Sequence, residues 1–454
     1  MRRPALLVAF LGALLLVLPV ATAGAKQRTI TKRFGPIGIG PYAVKYKTSK
    51  FPTPQVNGHI VRMHARIVDR AGRQMPVSRM MLHHLTFKDL GVPGRTRRDI
   101  TYCKGNLGER FYGTGEEDRE LVFPAGYGYK TRARDRWHAN WMLMNHGPKS
   151  DKAWIEYTVT VDDAPGITGV KAYWTGVVPG CTDPIFDVPG TGPPGSIHNE
   201  SRTWKVPTGG RIVAAGGHMH GGALNVTLKQ PACGDRALFA SHPLYGQPDH
   251  DYYRVLPNLH EPGPISSSLI MTPTGVPVRK GERLRISTDY DAETMHVRAM
   301  GIMHVYIAPG KPQGDKCAPL PGDRTEAFQK SDGRLEPPVW TVPLTGIGPD
   351  GRAREIERPP GPITRVETPR TITINVTRPS LQPANLDVPV GTVMKWRFDD
   401  ELFHDVTVAD GPFGFSSQPM RDGRTYKRTL KQPGAYKLFC SLHPVAMSQR
   451  IDVR

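Results

Sequence analysis

The chain of 454 residues is short of long apolar runs, of cysteine and of clustered basic residues, and each shortage removes a class of function. Beyond the run from Ala5 to Val20, nothing approaches the roughly 20 apolar residues that a membrane-spanning helix needs, so no transmembrane segment is expected in the mature chain. That first run follows Met1-Arg2-Arg3-Pro4 and precedes Ala21-Thr22-Ala23-Gly24-Ala25, the layout of a secretory signal peptide over residues 1-25. A secreted or otherwise extracytoplasmic location in the cell envelope is the expectation. The formal net charge is +19, yet Lys and Arg are scattered without interleaved aromatics. The excess reads as a solvated basic surface, and no specific nucleic-acid partner is expected.

What is abundant is turn-forming residues. Gly 48 and Pro 44 punctuate short apolar stretches, a pattern of all-β structure. "HIVRMHARIVD" (59-69), "WIEYTVTVD" (154-162), "GVKAYWTGVV" (169-178), "RIVAAGGHMHGGALNVTLK" (211-229) and "RLRISTDYD" (283-291) read as strands of sandwiches. From about 311 to 370 the composition shifts to Pro, Gly and charge, the signature of a linker. The β pattern resumes over 371-454 with "TITINVT", "VGTVMKWRF", "HDVTVAD" and "GAYKLFC", enough for one small sandwich. No short-period repeat is present.

Five cysteines occur, at 103, 181, 233, 317 and 440. In an oxidising compartment four can pair, with three connectivities that sequence does not separate. Cys440 is expected to be the odd one, because "LFCSLHPVAM" (438-447) gives it other company. Cys440, His443 and Met447 with His404 upstream make the His2Cys set plus axial thioether of a type 1, blue-copper site. Three of the four come from one tight loop at a strand end, and such rigidity lowers reorganisation during electron transfer. Residues 371-454 resemble the cupredoxins, the plastocyanin and amicyanin group, through "VPVGTVMKWRF", His404 and "PGAYKLFCSLHPVAM". Three residues separate His443 from Met447, where amicyanin-like loops have two and plastocyanin-like loops four.

Three histidine features mark the larger region: "MMLHHLTF" with His83 and His84 adjacent, "WMLMNHGP" with His146, and "AAGGHMHGG" with His218 and His220. Neighbours on a regular strand point to opposite faces, so His83 and His84 converge only where the backbone departs from regularity, whereas an H-x-H pair shares a face. Imidazole suits several metals. His138 shares parity with His146. Met80 and Met81 read as core filler.

The order of these features, closed by the methionine strand "AMGIMHVYIAP", resembles the copper type II, ascorbate-dependent monooxygenases, the peptidylglycine and dopamine β-monooxygenase group, over about residues 45-310. The resemblance implies two tandem jelly-roll-like sandwich halves, 26-180 and 181-310, with one copper at His83, His84 and His146 and a second, catalytic, at His218, His220 and Met303. Met300, Met295 and His296 lie close enough in sequence to replace Met303, since register is open. Gly216 stands where the peptidylglycine enzymes carry a substrate-binding arginine, against a peptide substrate. The implied chemistry is hydroxylation of an organic substrate with O2. Electrons would come from ascorbate or another reductant, or an external redox partner, through the C-terminal blue-copper domain. The alternative is a non-enzymatic copper-buffering or electron-transfer protein.

Overall fold

A computed structural model describes residues 27-98, 108-179, 184-312 and 314-454. The signal-peptide reading, Cys103 and Cys181 lie outside these residues. The chain is essentially all-β, with two short 3-10 turns among its strands. No helix among the described residues is long and apolar enough to cross a membrane.

One ten-stranded sheet forms the spine of the larger region. It runs from Gln27–Ile39 through Asp151–Asp162, Gly58–Val68, Tyr127–Thr131 and Thr168–Gly176, and continues through Gly301–Pro309, Gly210–Met219 and Leu269–Val278 to Thr325–Ala327. The seam between the two halves is an ordinary antiparallel pairing, Thr175 opposite Met303. A four-stranded sheet of Val44–Phe51, Trp137–Asn145, Met80–Asp89 and Glu109–Gly115 covers the first half, and another, Ile197–Lys205, Arg283–Asp291, Ala223–Gln230 and Arg236–Ser241, belongs to the second. Each half has its own core. The first is rich in aromatics, with Trp137, Phe87, Tyr157 and Phe111 fully buried, and the second gathers Ile212, Leu228, Ile286 and Met303. Alternation of apolar and polar residues along these strands puts one face into each core, which fixes register because a one-residue slip would invert every side chain.

Residues 363-453 form a separate sandwich of a five-stranded and a four-stranded sheet around Trp396, Phe398, Tyr436 and Leu438. The Pro-rich segment expected as a tether is laid along both bodies. Thr325–Ala327 extends the large sheet, Cys317 is bonded to Cys233, and Leu344 packs with Ala409 and Phe439 of the C-terminal sandwich. Burial of apolar side chains such as Leu344 ties the segment to the C-terminal sandwich.

Candidate metal centres

The C-terminal centre is built by one hairpin end. Gly434–Phe439 stops just before Cys440, and the loop closes on itself. The Cys440 amide donates to the Met447 carbonyl at 3.0 Å, and the His443 amide donates to the Cys440 carbonyl at 2.9 Å. Cys440 Sγ lies 3.6 Å from His443 Nδ1 and 3.9 Å from His404 Nδ1, and the three donor atoms fit within 4.8 Å of one another. His404 Nε2 is held 2.9 Å from the Asp400 carboxylate, which turns Nδ1 towards the sulfur. The Asp405 amide donates to Sγ at 3.4 Å. Cys440, His404 and Met447 are fully buried. Burial, reinforced by the Asp405 charge, pushes the Cys440 thiol well up, and burial beside His404 lowers His443 to about 4. Such a pocket penalises both a bare thiolate and an imidazolium, and a bound cation relieves the first without requiring the second.

The second centre is assembled from distant segments. In the pairing of Met80–Asp89 with Trp137–Asn145, Met142 faces His84 and Leu143 faces Leu82, so His83 is the extra residue of a β-bulge. The bulge re-aims its side chain, and His83 Nδ1 comes within 3.4 Å of His84 Nδ1. Gly115 crosses this point, where a Cβ would stand 2.4 Å from the His83 carbonyl oxygen. From the other half, Gly210–Met219 carries His218 to its end and the following turn begins with His220, their rings 5.3 Å apart. His220 and His83 are also only 5.3 Å apart, so the two histidine sets expected at separate coppers converge on one cluster.

Two residues missed in the sequence complete it. His260 Nε2 lies 2.9 Å from His83 Nε2, and Glu116 joins this pair as a three-donor group. Both come from irregular segments, "GEED" and "LHEPGP", with no strand period to flag them. Glu117 contacts His218 Nδ1 at 2.8 Å, leaving Nε2 for the cluster, and Asn140 Oδ1 lies 2.9 Å from His84 Nε2. Burial pushes Glu116 up to about 8 and holds His84 and His260 near 4. His83 and His220 are lowered further by burial and then by neighbouring histidines, chiefly His260 for His83 and His218 for His220. The imidazoles are therefore neutral at physiological pH, as metal ligation requires. Nε2 of His220 and of His146 is buried without a hydrogen-bond partner. Buried polar atoms are rarely left so, and a soft or borderline cation fits these donors.

Two expected ligands fall elsewhere. Met303 pairs with Gly217 and His218 with Ile302, so by the two-residue period Met303 points away from His218. It is fully buried beside Met219 in the second core. Met300 instead lines the cavity with Ile302 and His304. His146 donates through Nδ1 to the Val77 carbonyl and stacks on Tyr252, whose hydroxyl reaches His260 Nδ1 at 3.1 Å. It thus meets the cluster through a tyrosine rather than beside His83. His138 sits near the far end of its strand between Lys88 and Lys50. His296 has both ring nitrogens engaged, Nδ1 by Glu261 at 2.5 Å and Nε2 by Thr294 at 3.1 Å, and although burial opposes its charge, Glu261 and Asp291 raise it to about 9. Met295 packs against the C-terminal core.

A cavity of about 860 Å³ joins the two centres. His83, His84, His220 and His260 line one wall, and Ser441 and Leu442 of the cysteine loop line another. Val445 of the same loop packs against the cluster of Met81, Met144 and Tyr252 beside His260.

Residues 187–310 match the family described as Stress up-regulated Nod 19. That stretch holds His218, His220 and His260. Among solved structures the chain is similar to amicyanin. A proline-to-glycine variant in its reduced Cu(I) form at pH 4 is 23% identical, over 18% of this chain and 82% of that one, with a TM-score of 0.18. A methionine-to-glutamine variant with Cu(I) is 22% identical at the same coverages and TM-score. No curated protein is matched by the chain.

Proposed function

We propose that this chain is an extracytoplasmic copper-dependent oxidoreductase in which the cysteine centre passes single electrons to the histidine centre, and that the histidine centre hydroxylates an organic substrate with O2. The observation that carries the reading is the shared cavity, with five histidines on one side and the Cys440 loop on the other. Copper held at both places would supply one-electron chemistry, and at the histidines the contact with O2.

The chain's own groups divide the work. His83, His84, His220 and His260, kept neutral by burial, hold the metal. Glu117 orients His218 through Nδ1. Glu116, protonated near neutral pH until a cation displaces its proton, can carry a proton at its carboxyl. Met300, Ile302 and Trp174 give the cavity an apolar wall against which an organic substrate would rest, with water excluded.

The test is copper quantitation with visible absorption on the purified protein, followed by O2 uptake with ascorbate or another reductant. The expected result is copper at both centres, one intense blue band, and O2 uptake that yields a hydroxylated product. Copper at the cysteine centre alone would sink the enzyme reading. The rival is a copper-buffering protein, favoured by the unpartnered Nε2 atoms of His146 and His304, which offer donors beyond those a single reactive site uses. Tight copper binding without O2 uptake on any reductant selects it.

A further inference from the structure

One residue touches the surroundings of both centres. Arg298 lies in His296–Ala299 with φ 59, a left-handed conformation that is costly for a residue with a Cβ. Such a conformation persists only where its surroundings hold it. Its amide donates to Asp187 Oδ1 at 3.0 Å, and the Asp187 carboxylate also accepts from the Ser416 amide at 2.8 Å and the Ser416 hydroxyl at 2.6 Å. Asp187 thereby pins Arg298 to the C-terminal sandwich.

The two ends of Arg298 then face opposite ways. Its carbonyl lies 2.8 Å from His220 Nδ1, which makes Nδ1 the protonated nitrogen and leaves Nε2 bare towards the cluster. Its guanidinium donates through Nη1 to the Ser417 carbonyl at 2.9 Å and stands 3.7 Å from Asp405 Oδ2. Asp405 is fully buried. Its amide donates to Cys440 Sγ, and its carboxylate accepts from the Ser441 amide at 2.8 Å and hydroxyl at 2.5 Å. A continuous chain of bonds, hydrogen bonds and one ion pair therefore runs from the His220 ring to the Cys440 sulfur.

We propose that Arg298 is the positioning residue that couples the histidine centre to the cysteine centre. It fixes the ligating tautomer of His220 with its backbone and offsets the Asp405 charge beside the thiolate with its side chain. The proposal rests on the reading of both groups as copper centres. With copper held by Cys440, His404 and His443 and by the histidine cluster, the first site would supply one electron and the second would accept it, the donor being oxidised and the acceptor reduced by one unit with no bond or proton moved.

Arg298→Asn tests it, because asparagine tolerates a left-handed backbone and keeps the amide and carbonyl while losing the guanidinium. In the copper-loaded full chain, both centres should still fill and the blue band should persist. The reduction potential of the cysteine centre should fall, since an uncompensated Asp405 favours the more positive copper. That fall alone makes the cysteine centre a stronger donor, so a slowing of about tenfold in its reoxidation by the histidine centre, after rapid reduction by a pulse of dithionite, reads the lost guanidinium link against the added driving force. Arg298→Lys, which restores the charge, should recover the potential. A potential and a rate within about twofold of the parent in Arg298→Asn overturn the role of Arg298 alone. A parent chain with no blue band overturns the copper reading and the proposal with it. Should Arg298→Asn fail to fold, Arg298→Gln, which also removes the guanidinium and keeps the amide and carbonyl, decides: a potential and a rate within about twofold of the parent overturn the proposal.

Discussion

The cysteine centre and the histidine centre share imidazole donors but are built in opposite ways. Cys440, His443 and Met447 sit within eight residues, and the loop fixes them by its own hydrogen bonds. His83, His218, His220, His260 and Glu116 come from separate segments and meet only after the large sheet has joined both halves of the larger region. A local site survives small changes elsewhere in the chain. A site made by topology depends on register, bulges and the seam between halves, and gains in exchange a wall shared with a second body.

The largest effect expected is on the local site. Cys440→Ser removes the only thiolate donor there, so the blue band should vanish and copper per chain should fall by the share that the cysteine centre holds, while copper at the histidines remains. Metal analysis with visible spectroscopy checks this, and loss of all copper would mean that the two centres do not load independently. Next comes the topological site. His83→Ala or His260→Ala each deletes one face of the Nε2 pair, 2.9 Å apart in the parent, and should weaken copper binding at the histidine centre by about 100-fold, the upper range even for supporting residues. Competition with a chelator of known affinity reads it, and the blue band should be untouched.

A third pair of variants breaks the comparison at its seam. Met303→Ala should cost about 2–5 kcal/mol in stability, as for a fully buried methionine, yet leave copper binding unchanged in whatever fraction folds. Met300→Leu keeps volume and should cost less than about 1.5 kcal/mol, but it removes the thioether that lines the cavity. Denaturant melts and copper titrations on both separate the roles; weaker copper binding in the folded fraction of Met303→Ala would show that the strand turns over.

These differences explain what could be read from the residues. The all-β class, the strands at Arg283–Asp291 and Thr371–Thr377, and the placing of Cys440 at a strand end were legible, because period and turn residues act locally. The convergence of His83 and His84 was legible only as a condition, since one bulged residue decides it and no single sequence places a bulge. Parity on the Met303 strand was calculable once its partner was known, and register came from the partner. His260 and Glu116 were silent because loops carry no period. The Pro-rich segment was legible in composition but not in contacts, which depend on Leu344 finding Ala409 and Phe439.

The smallest and finest effect is on pH dependence, where the two centres add. In the metal-free protein His84, His146, His260 and His443 are each lowered to about 4, chiefly by burial. As pH falls below the ordinary histidine value of about 6.5, the unfolded chain takes up protons that the folded one refuses, so stability is lost down to about pH 4. Three buried groups act the other way, the first being Asp89, raised to about 7 by burial and so lost before the other two. Glu116, raised to about 8 by burial, and His296, raised to about 9 by Glu261 and Asp291 against its burial, keep protons that the unfolded chain releases. Their contribution is complete at low pH and is lost as pH rises through 8 and 9. Between about 4.5 and 6.5 at least seven imidazoles, His83, His220 and His304 with these four, oppose two carboxyls, and above 6.5 the opposing groups dominate, so metal-free stability should peak near pH 6.5. Denaturant unfolding from pH 5 to 9 measures it. His443→Gln should soften the acid limb by one group without moving the alkaline limb, because Asp89, Glu116 and His296 all belong to the larger region; a change in the alkaline limb would mean that the two bodies titrate as one.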